Sequence, residues 1–276
     1  MTRKNKHILT LNLADLDRLH LPLDRHAGGG SAVQTAIADY VRRQFAALGG
    51  VVQTISVDDR EIQMTWLPGD GDPAPVAAVV TLLQKGQYPE GMLLMELLLS
   101  DSPDDTRLIY NLGMAYSDTG ELDHALSHLR RLIELEPDHA NGRIALGLAL
   151  MRNGDTEQAV IELRRAAEID PSNPWAHRNL GASLMNLGRA DEGVVHLRKA
   201  AELNPTDDKA WYGLGQALET VGDDDGADRA FIEVLDIDEH SEIAELARQA
   251  RSKLAQRTFR AKTPATGRMD AVMYCL

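Results

Sequence analysis

The 276-residue chain contains a single cysteine, Cys275. That excludes an intrachain disulfide framework and suits a reducing compartment. Aromatic residues supply only 4% of the sequence, while Ala and Leu abound, a mixture that favours helices over sheets. Positive charge is also scarce: 29 Lys and Arg against 42 Asp and Glu leave a formal net charge of −13. A general nucleic-acid binder needs a net supply of Lys and Arg to neutralise phosphates, so that class is disfavoured. No run approaches the roughly 20 apolar residues of a membrane span. The cationic start (Arg3, Lys4, Lys6) and the following Ile8-Leu9 run do not make a secretory signal, because Asn12, Asp15 and Asp17 interrupt it. These absences predict a soluble cytoplasmic protein with no membrane partner.

Recognisable catalytic motifs are missing too. His26-Ala27-Gly28-Gly29-Gly30-Ser31 precedes a helical pattern, where backbone amides could receive an anion, but it lacks the Gly-Lys-Ser/Thr ending of a phosphate loop. It reads as a flexible linker ending at a helix cap. No Gly-x-Ser-x-Gly elbow occurs. His124 and His128 have metal-compatible spacing without a third ligand nearby in sequence, and read as solvated surface histidines. Cys275 has no evident activating base. The acidic clusters Asp104-Asp105 and Asp223-Asp224-Asp225 stand at helix starts, where they suit the macrodipole, and do not match a calcium loop. The expectation is no catalytic residue, no cofactor and no metal.

What the sequence does contain is a period. Gly113, Gly147, Gly181 and Gly215 recur at a step of 34, with Leu112, Leu146, Leu180 and Leu214 one residue earlier. Gly120, Gly154, Gly188 and Gly222 keep the same step, as do Pro137, Pro171 and Pro205. Four series in one register resemble the tetratricopeptide-repeat family, whose unit is a helix-turn-helix of this length. The resemblance covers repeats 106–139, 140–173, 174–207 and 208–241, with 72–105 as a degenerate first repeat carrying Gly86 and Pro103. Gly91 and Gly193 replace the small alanine of helix B (Ala125, Ala159, Ala227), Glu239 replaces the last proline, and Val79 replaces the first helix-A glycine.

The pattern has a physical reading. A glycine at the eighth repeat position lets helix B approach closely, with the small residue of helix B opposite it. The glycines from Gly120 to Gly222 fit a left-handed turn between the helices. Leu129, Leu163, Leu197 and Phe231 fill the gap toward the next repeat, and each proline stops helix B. Helices this short are marginal alone, so stability must come from stacking on neighbours. The fold class expected is mainly α: a right-handed α-solenoid of about five helix hairpins over 72–241, with a capping helix at 242–258 and a flexible tail at 259–276. The face assigned to the cap is Ile243, Leu246, Ala247, Ala250 and Leu254.

Residues 1–70 differ in kind. His7 to Leu13 alternates like a strand; Ser31 to Leu48 reads as a helix, with a Ser31/Gln34 capping box and Val33, Ile37, Val41, Phe45 and Leu48 inward. Val51 to Val57 and Glu61 to Leu67 read as a hairpin turning near Asp58-Asp59. The sum is a small βαββ (α+β) head whose sheet edges offer self-association or packing onto the first repeat.

The resemblance also implies a groove, because in this family helix A lines the concave surface with repeat positions two, five, nine and twelve. Those positions give Arg107, Tyr110, Met114, Ile144, Leu148, Met151, Trp175, Arg178, Met185, Lys209, Tyr212 and Gln216 as partner-binding candidates, with Ser117, Asn141, Ala182 and Glu219 completing the stripe. Ile144, Leu148 and Ala182 are equally readable as contacts between neighbouring A helices. The strip is apolar, Met- and aromatic-containing, with cations at its edges, and suits an apolar or amphipathic protein segment carrying some negative charge. The co-chaperone subtype that clamps a terminal carboxylate is not matched: its ninth-position asparagine is replaced by Val80, Met114, Leu148, Ala182 and Gln216. The apolar groove looks more like bacterial secretion chaperones and assembly scaffolds.

The leading expectation is a non-catalytic protein-interaction scaffold, adaptor or chaperone-like binder. Two alternatives are an enzyme or regulator acting through residues 1–70, and contact with nucleic acid or an acidic partner by the basic end (Arg248, Arg251, Lys253, Arg257, Arg260, Lys262, Arg268). Homo-oligomerisation through the head, or through the apolar ending Ala271 to Leu276 lying in a groove, is a further expectation.

Overall fold

The computed structural model describes residues 7–12, 35, 37–43, 51–57, 61–67 and 88–262. The glycine-rich 26–31 linker, the Ser31/Gln34 cap, Val33, Phe45, Leu48, the first helix of repeat 72–105 and the ending with Cys275 lie outside the described residues. Within them the order is β1 (His7–Asn12), a helical stretch at 37–43, β2 (Val51–Val57), β3 (Glu61–Leu67), then ten helices. These are α1 (Tyr88–Asp101), α2 (Thr106–Thr119), α3 (Leu122–Leu135), α4 (Ala140–Arg152), α5 (Thr156–Ile169), α6 (Pro174–Asn186), α7 (Ala190–Leu203), α8 (Asp208–Val221), α9 (Asp224–Ile237) and α10 (Glu242–Lys262). The described residues fall into two compact units that divide between Asn153 and Gly154, inside repeat 140–173. No described helix is long and apolar enough to cross a membrane.

In the first unit the sheet order is β1-β3-β2, both pairs antiparallel. The alternation of Ile62 and Met64 puts both on the buried face of β3. Ile37, Tyr40 and Val41 are buried on the helical stretch, as its period requires. β2 carries an irregularity between Val52 and Thr54 that shifts its register on β3. Helix α1 packs beside β1 and against α2. Its run Met92-Leu93-Leu94-Met95 is buried on every side, as a helix with no polar face must be. Glu96, the polar residue in that run, accepts a hydrogen bond from the buried Tyr116 hydroxyl at 2.7 Å.

Each hairpin is built as its glycines dictate. Gly120 and Gly222 end α2 and α8 at φ +85° in the left-handed region, their amides bonded back to the last turn, while Gly154 and Gly188 adopt the same conformation at the other two turns. The close approach of helices A and B brings the small residue of helix B against the glycine, as at Gly113 with the Ala125 carbonyl and Gly181 with the Gly193 carbonyl, and adds a larger partner. A Cβ on Gly215 would meet the Phe231 ring at 2.5 Å, and one on Gly113 would meet Leu129 at 2.7 Å. The large residue four positions beyond the small one on helix B therefore fills the glycine gap within its own repeat. Leu197 does both jobs, lying against Gly181 and reaching Gly213 of the following repeat.

The prolines have a second role that helix termination did not anticipate. Arg143, His177 and Trp211, all at the fourth repeat position, each hydrogen-bond the carbonyl of the proline six residues earlier: Arg143 to Pro137, His177 Nε2 to Pro171 at 3.1 Å, and Trp211 Nε1 to Pro205 at 3.0 Å. The carbonyl just past the cap of each of these B helices is thereby bonded by the next helix A.

In the second unit the core gathers Leu197, Leu214, Leu218, Phe231 and Val234 with Ala244, Ala247 and Leu254 of α10. Helix α10 packs on both α8 and α9, and runs to Lys262 rather than ending before Phe259. Thr-Phe-Arg-Ala-Lys offers nothing that breaks a helix. Leu246 departs from its assigned place on the buried face: it is 43% exposed. Ala247 and Leu254, seven apart, carry the inward stripe, and Leu246 lies about 100° round the helix from Ala247.

Candidate functional site

The helix-A stripe is taken unit by unit. In the first unit α2 and α4 lie side by side. Asp105 caps α2 by accepting from the amides of Arg107 and Leu108. The Arg107 guanidinium folds back onto the same carboxylate, at 2.9 Å from Oδ2. The Arg107 hydrogen bond holds the Asp105 carboxyl below its usual range, against the opposing effect of burial. Tyr110 is half-buried with its ring tilted on His139, centroids 5.7 Å apart, and burial pushes its phenol up. Met114, Leu148 and Met151 are half-buried. Ile144, at 7% exposure, is spent on packing and offers no surface to a partner.

In the second unit α6 and α8 lie side by side, followed by α10. Asn173 caps α6 by accepting from the amides of Trp175 and Ala176, and Pro174 occupies the first turn. That geometry leaves the Trp175 side chain 53% exposed at the helix start. Arg178 reaches Asp207 Oδ2 at 2.7 Å, and Asp207 is itself the cap of α8, accepting from the amides of Lys209 and Ala210. Met185 lies over Gly193, where a Cβ would stand 3.1 Å from its Cγ and Sδ, so the missing alanine methyl of helix B is replaced by the methionine. Tyr212 leans on Phe231, centroids 5.7 Å apart, and its hydroxyl accepts from Gln216 Nε2 at 3.2 Å. Burial, then the Glu219 carboxylate, pushes the Tyr212 phenol up.

Two features change the electrostatics expected from sequence. Arg107 and Arg178 are each held by an aspartate that caps a helix, so Lys209, exposed and without an ion pair among the described residues, is the free cation of the second unit's stripe. Glu219, the acidic exception, lies 3.5 Å from Arg257 of α10. Carrying the register one step past Tyr212 reaches Leu246, an exposed leucine of α10. The signal was in the sequence, since 246 is 212 plus one period, but the amphipathic reading of α10 placed that residue inside.

His124 and His128 are only partly exposed and are engaged within the fold. Both rings lie against buried Tyr116, His128 stacked at 5.5 Å and His124 tilted at 5.1 Å, with His128 Nε2 also 3.8 Å from Glu96. Among the described residues no group of three or more His, Cys, Asp or Glu is placed to hold a metal ion. The basic end is partly committed within the chain: Arg251 pairs with Asp228 at 2.6 Å, Arg257 with Asp224, and Arg248 with Glu245 and the Glu239 carbonyl.

Family models described as tetratricopeptide repeat match residues 110–174, 174–217 and 208–241. No curated protein matches the chain in sequence. Among solved structures, MamA of AMB-1 is 28% identical with a TM-score of 0.52, covering 60% of this chain and 98% of its own. TTC0263 of Thermus thermophilus, a thermophilic tetratricopeptide-repeat protein, is 22% identical with a TM-score of 0.52 over 67% of this chain and 97% of its own. YrrB, described as such a protein with an unusual peptide-binding site, is 18% identical with a TM-score of 0.52 over 66% of this chain and 94% of its own. Helix pairs turned by left-handed glycines at a step of 34, and matched by all three repeat models, leave one assignment. Over residues 110–241 this chain belongs to the tetratricopeptide-repeat family.

Proposed function

We propose that the protein is a non-catalytic interaction scaffold that holds an apolar or amphipathic segment of another protein against its A helices. The observation that carries this reading is Trp175: an indole 53% exposed on the same stripe as half-buried Tyr212 and Met185. Aromatic and Met side chains that remain accessible on one helical stripe are the composition of a partner-binding core. The first unit contributes a like surface of Tyr110, Met114, Leu148 and Met151. Leu246 extends the stripe of the second unit onto α10. Because Arg107 and Arg178 are already paired, the contact is chiefly apolar, and acidic character in the partner is read by Lys209. The peptide-binding site described for YrrB accords with this class of activity.

The test is a triple variant, Tyr110→Ala, Trp175→Ala and Tyr212→Ala, compared with wild type by affinity purification and mass spectrometry, with circular dichroism as a fold control. Loss of specific partners with helicity retained supports the scaffold reading. An unchanged partner set sinks it.

A further inference from the structure

The opposite face of α8 holds a second opening. A cleft of about 240 Å³ lies among α7, α8 and α9, floored by Trp211, Leu214, Leu218 and Ala230, with Arg198 and Arg229 beside it. Trp211, Leu214 and Leu218 occupy repeat positions four, seven and eleven, on the other side of the helix from Lys209, Tyr212 and Gln216. The cleft is therefore separate from the stripe assigned to the scaffold function.

Two local departures from the repeat open and stiffen it. Gly226 stands where the three preceding repeats carry His124, Gln158 and Glu192, so no side chain crosses the first turn of α9. The absent Cβ also lets the Asp223 carboxylate fold over that turn and accept the Gly226 amide at 2.9 Å, an end cap that the B helices α3, α5 and α7 lack. The indole of Trp211 is held by its bond to the Pro205 carbonyl, so the aromatic wall keeps one orientation.

The unpaired guanidiniums beside the cleft point to the occupant. Most described arginines of this acidic chain are tied to a carboxylate or a carbonyl, but Arg198 and Arg229 have no hydrogen bond or ion pair among the described residues. Asp223 and Glu233 balance the two guanidiniums in charge, but Asp223 is bonded to its cap amide and neither carboxylate is paired with Arg198 or Arg229, whose donors are unspent among the described residues. The volume falls below the roughly 300 Å³ at which small-molecule sites begin, and fits one large side chain. We propose that this cleft is a second docking site, which takes a single apolar side chain of a partner polypeptide while Arg198 and Arg229 bind a carboxylate next to it. Guanidinium forks suit carboxylates, and an apolar anchor flanked by charge is the usual form of such a contact.

A displayed library of random dodecapeptides, selected against the full chain, tests this independently of the A-helix stripe. The expected winners place Asp or Glu within two residues of Leu, Ile or Phe. Fluorescence polarisation of a selected peptide should show affinity falling at least about tenfold in Arg198→Glu/Arg229→Glu, with a steep salt dependence. Glu233→Arg should tighten binding several-fold, an outcome that a folding defect would not produce. Trp175→Ala/Tyr212→Ala should leave it unchanged. The proposal is overturned if no peptide is enriched, if the winners lack acidic residues, or if their binding follows the Trp175 and Tyr212 changes rather than the two arginines.

Discussion

The Nδ1 atoms of His177 and His196 stand 3.2 Å apart, joining α6 to α7 through a hydrogen bond between two imidazoles. The rings are stacked at 5.4 Å with 17° between their planes. His177 Nε2 faces the Pro171 carbonyl, which only accepts, so that nitrogen carries a hydrogen. In the neutral pair His177 Nδ1 is then the acceptor and His196 Nδ1 the donor. Adding a proton to each ring would set two N–H groups against each other.

That geometry gives the fold an acid sensitivity. Burial, then His177 and Arg164, hold the His196 imidazole below its ordinary pKa, with Glu192 opposing. The unfolded state then binds more protons than the folded state near neutrality, so stability rises with pH. The contribution is complete above about pH 6.5 and is lost as pH falls through the lowered value of the folded state. Asp170, held low chiefly by its Ser172 hydrogen bond, acts in the same direction only at more acid pH. Thermal melts between pH 7.5 and 5 should show a falling Tm for wild type and a shallower fall for His196→Gln. Equal slopes for the two proteins would remove the pair as the cause.

Asp207 joins the cap of α8 to the Arg178 ion pair, and the two roles are separable. Asn keeps an oxygen for the amides of Lys209 and Ala210 but gives up the charge, whereas Ala gives up both. Asp207→Ala should therefore cost more than Asp207→Asn, by the roughly 0.5–2 kcal/mol of a lost cap. In a double-mutant cycle with Arg178→Met, the pair should show coupling of about 0.5–3 kcal/mol, because Asp207 is 9% exposed. Additive losses in urea titrations would mean that the pair contributes nothing beyond its parts.

Gly215 is fixed by Phe231 and not by backbone conformation. Its Cβ would sit 2.5 Å from the ring, which is enclosed on all sides by the core of the second unit. Gly215→Ala should destabilise by about 1–3 kcal/mol, the usual cost of overpacking. Phe231→Leu in the same chain should restore part of that loss, since a smaller side chain makes room. A full-cost Gly215→Ala with no recovery in the double variant would place the strain in the backbone instead.

The sequence made the repeating part of the fold legible because its constraints are steric and local. A left-handed turn admits little but glycine, and a step of 34 repeats that demand at Gly120, Gly154, Gly188 and Gly222. Pair-specific chemistry was less legible. That His177, Arg143 and Trp211 do the same work on a proline carbonyl is hidden by their dissimilarity. The edges of the apolar stripe read as free cations because the aspartate partners of Arg107 and Arg178 sit just before a helix and look like caps alone. That His124 and His128 lie against a ring was hidden because Tyr116, which both touch, belongs to the other helix of the hairpin.

Helix α10 poses the same question at residue level, and two leucines eight apart answer it. Leu254 is 4% exposed and belongs to the cluster around Phe231, whereas Leu246 is 43% exposed, one repeat period beyond Tyr212. If α10 only closes the array, both leucines should matter to folding. If it also continues the binding surface, their effects should separate. Leu254→Ala should cost about 2–5 kcal/mol, the range for a buried leucine that leaves a cavity. Leu246→Ala should stay within about 0.5 kcal/mol of wild type, as exposed positions do. Partner retention should show the reverse order, with Leu246→Ala losing capture while fully folded. A large stability loss at Leu246 would return it to the core and confine the stripe of the second unit to α6 and α8.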